Sequence, residues 1–296
     1  MALPQLISAT NEADSRPHDN EIDLFGLTHP GRVRPDNQDH FLLCTLHRQL
    51  VVHASSLGDL DTLPLRGERL ATLAMVADGV GGAEAGEEAS RRALEAIARY
   101  VSHTMDAVRQ VDPDEVAALA GELQAAVLEA HAAVREAARV AGHGTMATTL
   151  TLLISLWPQA YIVQVGDSRC YYWHEGTLQR MTRDQTVVQD LVDAGAIPAE
   201  SAHESPYSHV LSSALGVEDP TPVVSAMRVQ RGCAALLCTD GLTGHVSDDE
   251  IAEALRRATS SEQVCRELLQ LALDRGGEDN ITVLVGRAPR APTTPA

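Results

Sequence analysis

Apolar positions along this chain fall into two kinds of run. Short blocks rich in Val, Leu, Ile and Thr, bounded by glycine, acid or turn residues, read as strands over 41–45, 70–77, 148–157, 160–165, 169–174, 177–181, 222–229, 233–239 and 281–286. Longer stretches repeat their apolar positions at helical spacing, from 84 to about 103 and from 113 to about 140. The second of these opens on Asp112, Pro113 and Glu115, which supply an N-cap, a first-turn proline and a capping-box acid. A shorter helix is expected over 186–195, ended by Ile197-Pro198. Two more are expected from 248 to about 257, with Ser247 and Glu250 as a capping box, and from 261 to about 275, stopping at Gly276-Gly277. The polar stretch 46–68 reads as a solvated loop or an extended hairpin.

The order is strands, a helix pair, many strands, a second helix pair and one last strand. That is not the strand-helix alternation of a doubly wound parallel sheet. It fits an α+β arrangement of antiparallel sheets with helical hairpins on their outer faces. No linker divides the chain, so one domain is expected over 22–288, with mobile ends at 1–21 and 289–296.

Composition narrows the function. The 296 residues are 44% hydrophobic, enough for a sizeable core, and carry a formal charge of −18. No lysine occurs, so arginine supplies every basic side chain. An acidic surface repels a phosphate backbone, which argues against nucleic acid as a partner. A lysine-dependent phosphate loop is also excluded. The five cysteines, Cys44, Cys170, Cys233, Cys238 and Cys265, form no C-x-x-C pair and read as buried thiols of a reducing compartment. No uncharged apolar run reaches about 20 residues, so no membrane span is expected. The first residues lack the features of a secretory signal, and a cytoplasmic location is expected.

Carboxylates recur where apolar runs meet glycine or a turn. The run ending at Ala77 leads into Asp78-Gly79, and the run ending at Thr239 leads into Asp240-Gly241. Asp39 stands in RPDNQD, and Asp279 precedes the apolar run of EDNITVLV. Strands that stop at aspartates can gather them at one sheet end, and such a cluster suits hard divalent cations such as Mg²⁺ or Mn²⁺. A single Asp-Gly is a common turn, Gly166-Asp167-Ser168-Arg169 could be no more than a tight hairpin turn, and Thr148-Thr149 alone is ordinary strand propensity.

Taken in order, THPGRVRPDNQD, VADGVGG, MATTLT, VGDSRCYYWHEGTLQRMTRDQT, LSSALG, LLCTDGL and GGEDNITVLV resemble the metal-dependent serine/threonine protein phosphatases of the 2C type, the PPM family, in their bacterial form. The resemblance runs from about Phe25 to Gly286. It implies a four-layer αββα sandwich, two antiparallel sheets flanked by antiparallel helix pairs. It also implies two Mn²⁺ or Mg²⁺ ions that activate a bridging water for in-line attack on phosphoserine or phosphothreonine, with no phosphorylated side chain.

By that resemblance Asp78 bridges the ions, and the Gly79 carbonyl ligates one of them. Asp240 and Asp279 complete the other ion's protein shell, and Asp39 holds metal-bound water. Arg34 grips the substrate phosphate with a planar fork that lysine cannot copy, and Asn280 orients its neighbour. The implied partners are phosphoserine and phosphothreonine proteins, including a bacterial serine/threonine kinase and its targets.

The chain departs from the family in four places. Gln38 stands where glutamate is usual, and the missing charge predicts weaker binding of the second ion. Val80 follows Asp-Gly, an apolar residue as is usual in bacterial relatives, where animal members have a histidine proposed to protonate the leaving group; His40 is a conceivable substitute but reads more readily as an incidental surface histidine. No acid lies between Glu136 and Asp167, where His143 and Gly144 occupy the stretch used by some members for a third ion, and this argues against a tight third site. The insertion 46–68 and the variable region 184–216 are candidates for partner choice.

Rival phosphatase chemistries fail on the residues. No cysteine has an arginine six positions later, and Asp59-Leu60-Asp61-Thr62 lacks a delivering strand and is followed by Leu63. The competing reading is a pseudophosphatase that binds phosphoproteins without hydrolysing them. Gln38 leans that way, while Asp78, Asp240 and Asp279 are intact.

Overall fold

A computed structural model of the chain describes residues 16–49, 52, 66–104, 116–142, 146–198, 201, 205, 207 and 209–290. The first half contains β1 (Asp23–His29), β2 (Asp39–Gln49), β3 (Arg66–Val80), α1 (Ala83–Thr104), α2 (Val116–Ala141), β4 (Ala147–Thr148), β5 (Leu150–Leu156) and β6 (Gln159–Val165). The second contains β7 (Arg169–His174), β8 (Thr177–Arg180), α3 (Val187–Asp193), β9 (Val223–Arg228), β10 (Cys233–Cys238), α4 (Asp240–Thr243), α5 (Asp248–Arg257), α6 (Ser261–Asp274) and β11 (Ile281–Ala288). One sheet runs β1-β11-β10-β7-β8 and the other β2-β3-β5-β6-β9, with β4 beside the end of β3. The paired strands are antiparallel throughout.

Strand periodicity builds four layers. Along β3, Ala71, Leu73, Met75 and Ala77 face α1 and α2, while Ala74 and Val76 face the other sheet. On β11, Ile281, Val283 and Val285 turn toward α5 and α6, while Leu284 joins the inter-sheet core. Both faces of these central strands are buried, which is why they read as continuous apolar blocks instead of alternating ones. The α1 face that meets the sheet is lined by Ala85, Ala89, Ala93 and Ala96, small residues that let helix and sheet approach closely. These layers are the expected αββα sandwich.

Helix ends follow their local signals. Ser247 accepts a bond from the Glu250 N–H, and the Glu250 carboxylate accepts one from the Ser247 N–H, so the capping box forms as read. Thr186 and Ser260 cap α3 and α6 by accepting from the N–H groups of Gln189 and Gln263. The predicted start of α2 at Asp112, Pro113 and Glu115 lies outside the described residues.

Two differences stand out. The strand β1 was not legible in the sequence, because Gly26 interrupts a weak apolar pattern. A Cβ there would come within 3.0 Å of the Phe41 ring. The stretch 46–68 is partly ladder, since β2 continues to Gln49 and β3 begins at Arg66. Its described part is thus an extended hairpin, and residues 50, 51 and 53–65 lie outside the described residues.

The expected mobile end at 1–21 also needs correction at its boundary. Residues 1–15 lie outside the described residues, but the segment beyond them is anchored. Buried Arg69 donates to Asp19 at 2.8 Å and to the Pro17 carbonyl at 2.8 Å, and Arg231 pairs with Glu21 at 2.9 Å. At the other end, the expected tail 289–296 is described only to residue 290.

Candidate active site

The strand ends that carry Asp39, Asp78, Asp240 and Asp279 meet at one edge of the sandwich. Asp39 begins β2 and lies opposite Asp78 near the end of β3. From the facing sheet, β10 delivers Asp240 at the first turn of α4, and Asp279 and Asn280 precede β11. The turn between β6 and β7 brings Asp167. Between the sheets opens a cleft of about 1050 Å³, lined among others by Arg34, Gln38, Asp78, Gly79, Asp167, Asp240 and Asp279.

Threonines fix the acids' backbones and side chains. The Asp78 N–H donates to Thr149 Oγ1 at 3.0 Å. The Asp78 carbonyl accepts from Thr149 N at 2.9 Å and from Thr148 Oγ1 at 2.8 Å. The Thr-Thr pair, unremarkable alone, therefore locks the central acid. Asp39 is almost fully buried, and its Oδ2 accepts from Thr239 Oγ1 at 2.8 Å and Thr282 Oγ1 at 2.7 Å, so it ties the two sheets together. Asn280 also bridges elements: it accepts from Gln38 N at 2.8 Å and donates to the carbonyls of Pro30 and Asp36. These bonds tie Asn280 to the segment that carries Gln38 and Asp39.

The carboxylates repel one another strongly. Burial pushes Asp39 up to about 7, with Asp240 and Asp279 adding to the shift and the two threonine hydroxyls opposing it. Asp78 lies well above the usual carboxylate range, first through burial and then through the charges of Asp39, Asp240, Asp167 and Asp279. Asp167 is raised by burial and then by Asp240 and Asp184.

The donor set fits divalent cations. Among the described residues, buried carboxylate oxygens without a hydrogen-bond partner occur on Asp39 and Asp240, both at this site. An orphaned buried anion is costly, and a cation resolves both the desolvation and the repulsion. No trio of His, Cys, Asp or Glu among the described residues holds an ion alone. Ions here would rely on carboxylate pairs, carbonyl oxygen and water, the habit of Mg²⁺ and Mn²⁺.

Arg34 stands at the rim, half exposed, and donates to Asp279 Oδ2 at 2.8 Å. His40 is not in the cleft. Its ring lies 3.0 Å from Ser90 Oγ on α1, and burial lowers its basicity, so it is no substitute for the absent histidine after Asp-Gly. His143 and Gly144 lie outside the described residues.

Sequence reasoning missed two cleft residues. Asp167, read as part of a hairpin turn, is buried beside Asp240. The signal was Gly166, which has a φ of +101° and where a Cβ would lie 2.6 Å from Thr149 Cγ2, leaving no room for a side chain. Ser168 completes the joint, with its hydroxyl 2.8 Å from Thr149 Oγ1 and its carbonyl accepting from Thr151 Oγ1. His209 lies 3.8 Å from Asp240 Oδ2, which raises its basicity; it belongs to the variable region 184–216, where nothing in the sequence marks it.

That region is stapled at its root. Gln185 accepts from Gly166 N at 2.7 Å and donates to the Thr221 carbonyl, while Thr186 bridges Leu211. Arg169 and Asp184 form a fork-to-fork pair at 3.0 and 2.7 Å beneath it. The five cysteines are free thiols. No helix among the described residues is long and apolar enough to cross a membrane.

Comparison with known proteins gives the same picture. A sequence profile described as "Protein phosphatase 2C" matches residues 61–283. The chain is 38% identical over 219 residues to "Serine/threonine protein phosphatase PstP" of Mycobacterium tuberculosis, covering 73% of this chain and 40% of that protein. It therefore spans well under half the length of that relative. It is 33% identical over 215 residues to "Serine/threonine phosphatase stp" of Listeria welshimeri, covering 72% of this chain and 83% of that one. A solved structure of the PstP catalytic domain in complex with two manganese ions superposes with a TM-score of 0.69 at 31% identity, covering 91% of this chain and 99% of that one. An acid-lined edge between two helix-covered antiparallel sheets, together with these matches, makes the chain a member of the protein phosphatase 2C family.

Proposed function

We propose that the chain hydrolyses phosphoserine and phosphothreonine in proteins. The observation that carries this is the convergence of Asp78, Asp240 and Asp279 on one cleft, with Asp39 buried opposite Asp78 and unpartnered carboxylate oxygens on Asp39 and Asp240. Two Mn²⁺ or Mg²⁺ ions bound there would offset the phosphate charge and activate water for in-line attack, without a phosphorylated side chain.

Asp78, Asp240, Asp279 and the Gly79 carbonyl are the proposed ion ligands. Asp39 acts behind them through an ordered water and through the two threonines that fix its carboxylate. Arg34 receives the phosphate oxygens at the rim, where its Asp279 partner holds the guanidinium toward the cleft. Asp167 adds a further acid beside Asp240; the expectation against a tight third ion rests on the absence of an acid between Glu136 and Asp167, which an acid from elsewhere in the chain could offset. The proposed partners are phosphoproteins, including a bacterial serine/threonine kinase and its targets, and the proposed compartment is the cytoplasm.

The test is phosphate release from a phosphothreonine peptide with Mn²⁺, with Mg²⁺ and with EDTA. Turnover that requires the metal is expected. Equal turnover in EDTA would overturn the mechanism, and none at any metal level would leave a phosphoprotein-binding module in its place.

A further inference from the structure

Gln38 lines the cleft, but its side-chain amide is turned onto backbone carbonyls and does not stand free as a neutral substitute for a metal-facing acid. Its side chain runs under the glycine loop between β3 and α1. The end of its amide is so close to Gly86 that a Cβ there would lie 1.9 Å away, and a Cβ at Gly79 would lie 2.1 Å from the Gly86 carbonyl oxygen. Two carbonyl oxygens face the amide, which fixes its orientation: the nitrogen donates to Gly79 O at 3.1 Å and to Gly82 O at 3.2 Å. The backbone of the same residue is equally engaged. Its N–H donates to Asn280 Oδ1 at 2.8 Å, and its carbonyl accepts from Gly79 N at 3.2 Å and Ser90 Oγ at 2.6 Å.

We infer that Gln38 is a positioning residue: its amide clamps both ends of the loop 79–82 and holds the Gly79 carbonyl in the direction an ion needs. This rests on the reading of Gly79 as an ion ligand. The loop requires such a clamp. Gly81 and Gly82 have φ of +127° and +92°, in a region where glycine moves freely, so little in the loop itself fixes its shape. A carbonyl oxygen accepts two bonds, and the amide occupies one direction while leaving the other. Glutamate at this position has no N–H to give and would set a carboxylate against two carbonyls. Charge counting therefore predicts tighter ion binding for Gln38→Glu, whereas the clamp predicts weaker binding.

Calorimetric titration of Mn²⁺ into wild type, Q38E and Q38M separates these ideas, since methionine removes the donor without adding charge. Both variants are expected to lose about tenfold in Mn²⁺ affinity, the scale of one lost hydrogen bond to a site already paid for in order. Wild-type or tighter affinity in Q38E, or wild-type affinity in Q38M, overturns the clamp. So does a lowered thermal midpoint in EDTA with unchanged Mn²⁺ affinity, which marks a purely structural role. Should the variants fail to fold, hydrogen exchange of the Gln38 side-chain amide in the wild-type protein decides: slowed exchange is expected, and exchange at the rate of a free amide contradicts the inference. Absence of Mn²⁺ binding in the wild type overturns the ion-site reading itself, whereas binding there with unaffected variants overturns the clamp alone.

Discussion

Asp78→Asn is expected to lower kcat/KM on a phosphothreonine peptide by about a thousandfold or more, while raising the thermal midpoint of the metal-free protein. The activity loss follows from the central place of this carboxylate. It lies opposite Asp39 in the ladder, and the charges of Asp39, Asp240, Asp167 and Asp279 all bear on it. A thousandfold corresponds to about 4 kcal/mol of barrier, the size of losing one preorganised charge contact. The gain in stability follows from the same repulsion. Asparagine keeps the shape but carries no charge, and the Asp78 backbone remains held by Thr148 and Thr149. For a chain of this size each 1 kcal/mol moves the midpoint by about 2–4 °C. Calorimetry in EDTA beside steady-state kinetics in Mn²⁺ checks both halves. Wild-type turnover, or a midpoint lowered at neutral pH, contradicts the assignment.

The metal-free protein is expected to lose stability as pH rises from about 4 to about 7, and Mn²⁺ to reverse that slope. The sign follows from Asp39, whose carboxyl is pushed up from 3.8 to about 7 in the folded chain. A group with a raised folded value supports the fold fully below its unfolded value and loses that support as pH climbs through the folded one. Asp78 and Asp167 are shifted in the same direction. The combined effect is on the order of a few kcal/mol. Carboxylates held low by arginine, such as Glu250 at about 2, act in a separate window below about pH 4.5, where their contribution is lost on acidification. Ions bind only the deprotonated cluster, so their stabilisation grows over the pH range in which the metal-free fold weakens. Thermal midpoints across pH, with EDTA and with Mn²⁺, measure this. A flat or rising metal-free profile between pH 4 and 7 contradicts it.

Much of this molecule was legible from residue order. The central strands announced themselves as unbroken apolar blocks because helices cover one face and a second sheet the other, as the split of Ala74 and Val76 from Leu73 and Met75 shows. Capping at Ser247 and Glu250 fixed the start of α5 from four letters. Asp39, Asp78, Asp240 and Asp279 were visible because each ends or begins such a block.

What stayed hidden depends on contacts distant in sequence. The strand β1 owes its place to pairing with β11, some 250 residues away, and not to its own propensity. Asp167 looked like a turn residue because Asp240, the carboxylate it meets at the end of the strand beside β7, lies far from it in sequence. Gln38 looked like a lost charge, since nothing in its neighbours' identities shows that its amide faces two carbonyls. Anchoring of the segment before β1 likewise depends on two arginines, Arg69 and Arg231, buried far from it in sequence.

The most direct test of the account is anomalous diffraction from a crystal soaked in Mn²⁺. Two manganese peaks flanking the Asp78 carboxylate are expected, one against the Gly79 carbonyl and the other against Asp240 and Asp279. A cleft without manganese, or manganese bound away from Asp78, would contradict the claim that these carboxylates exist to hold a pair of ions.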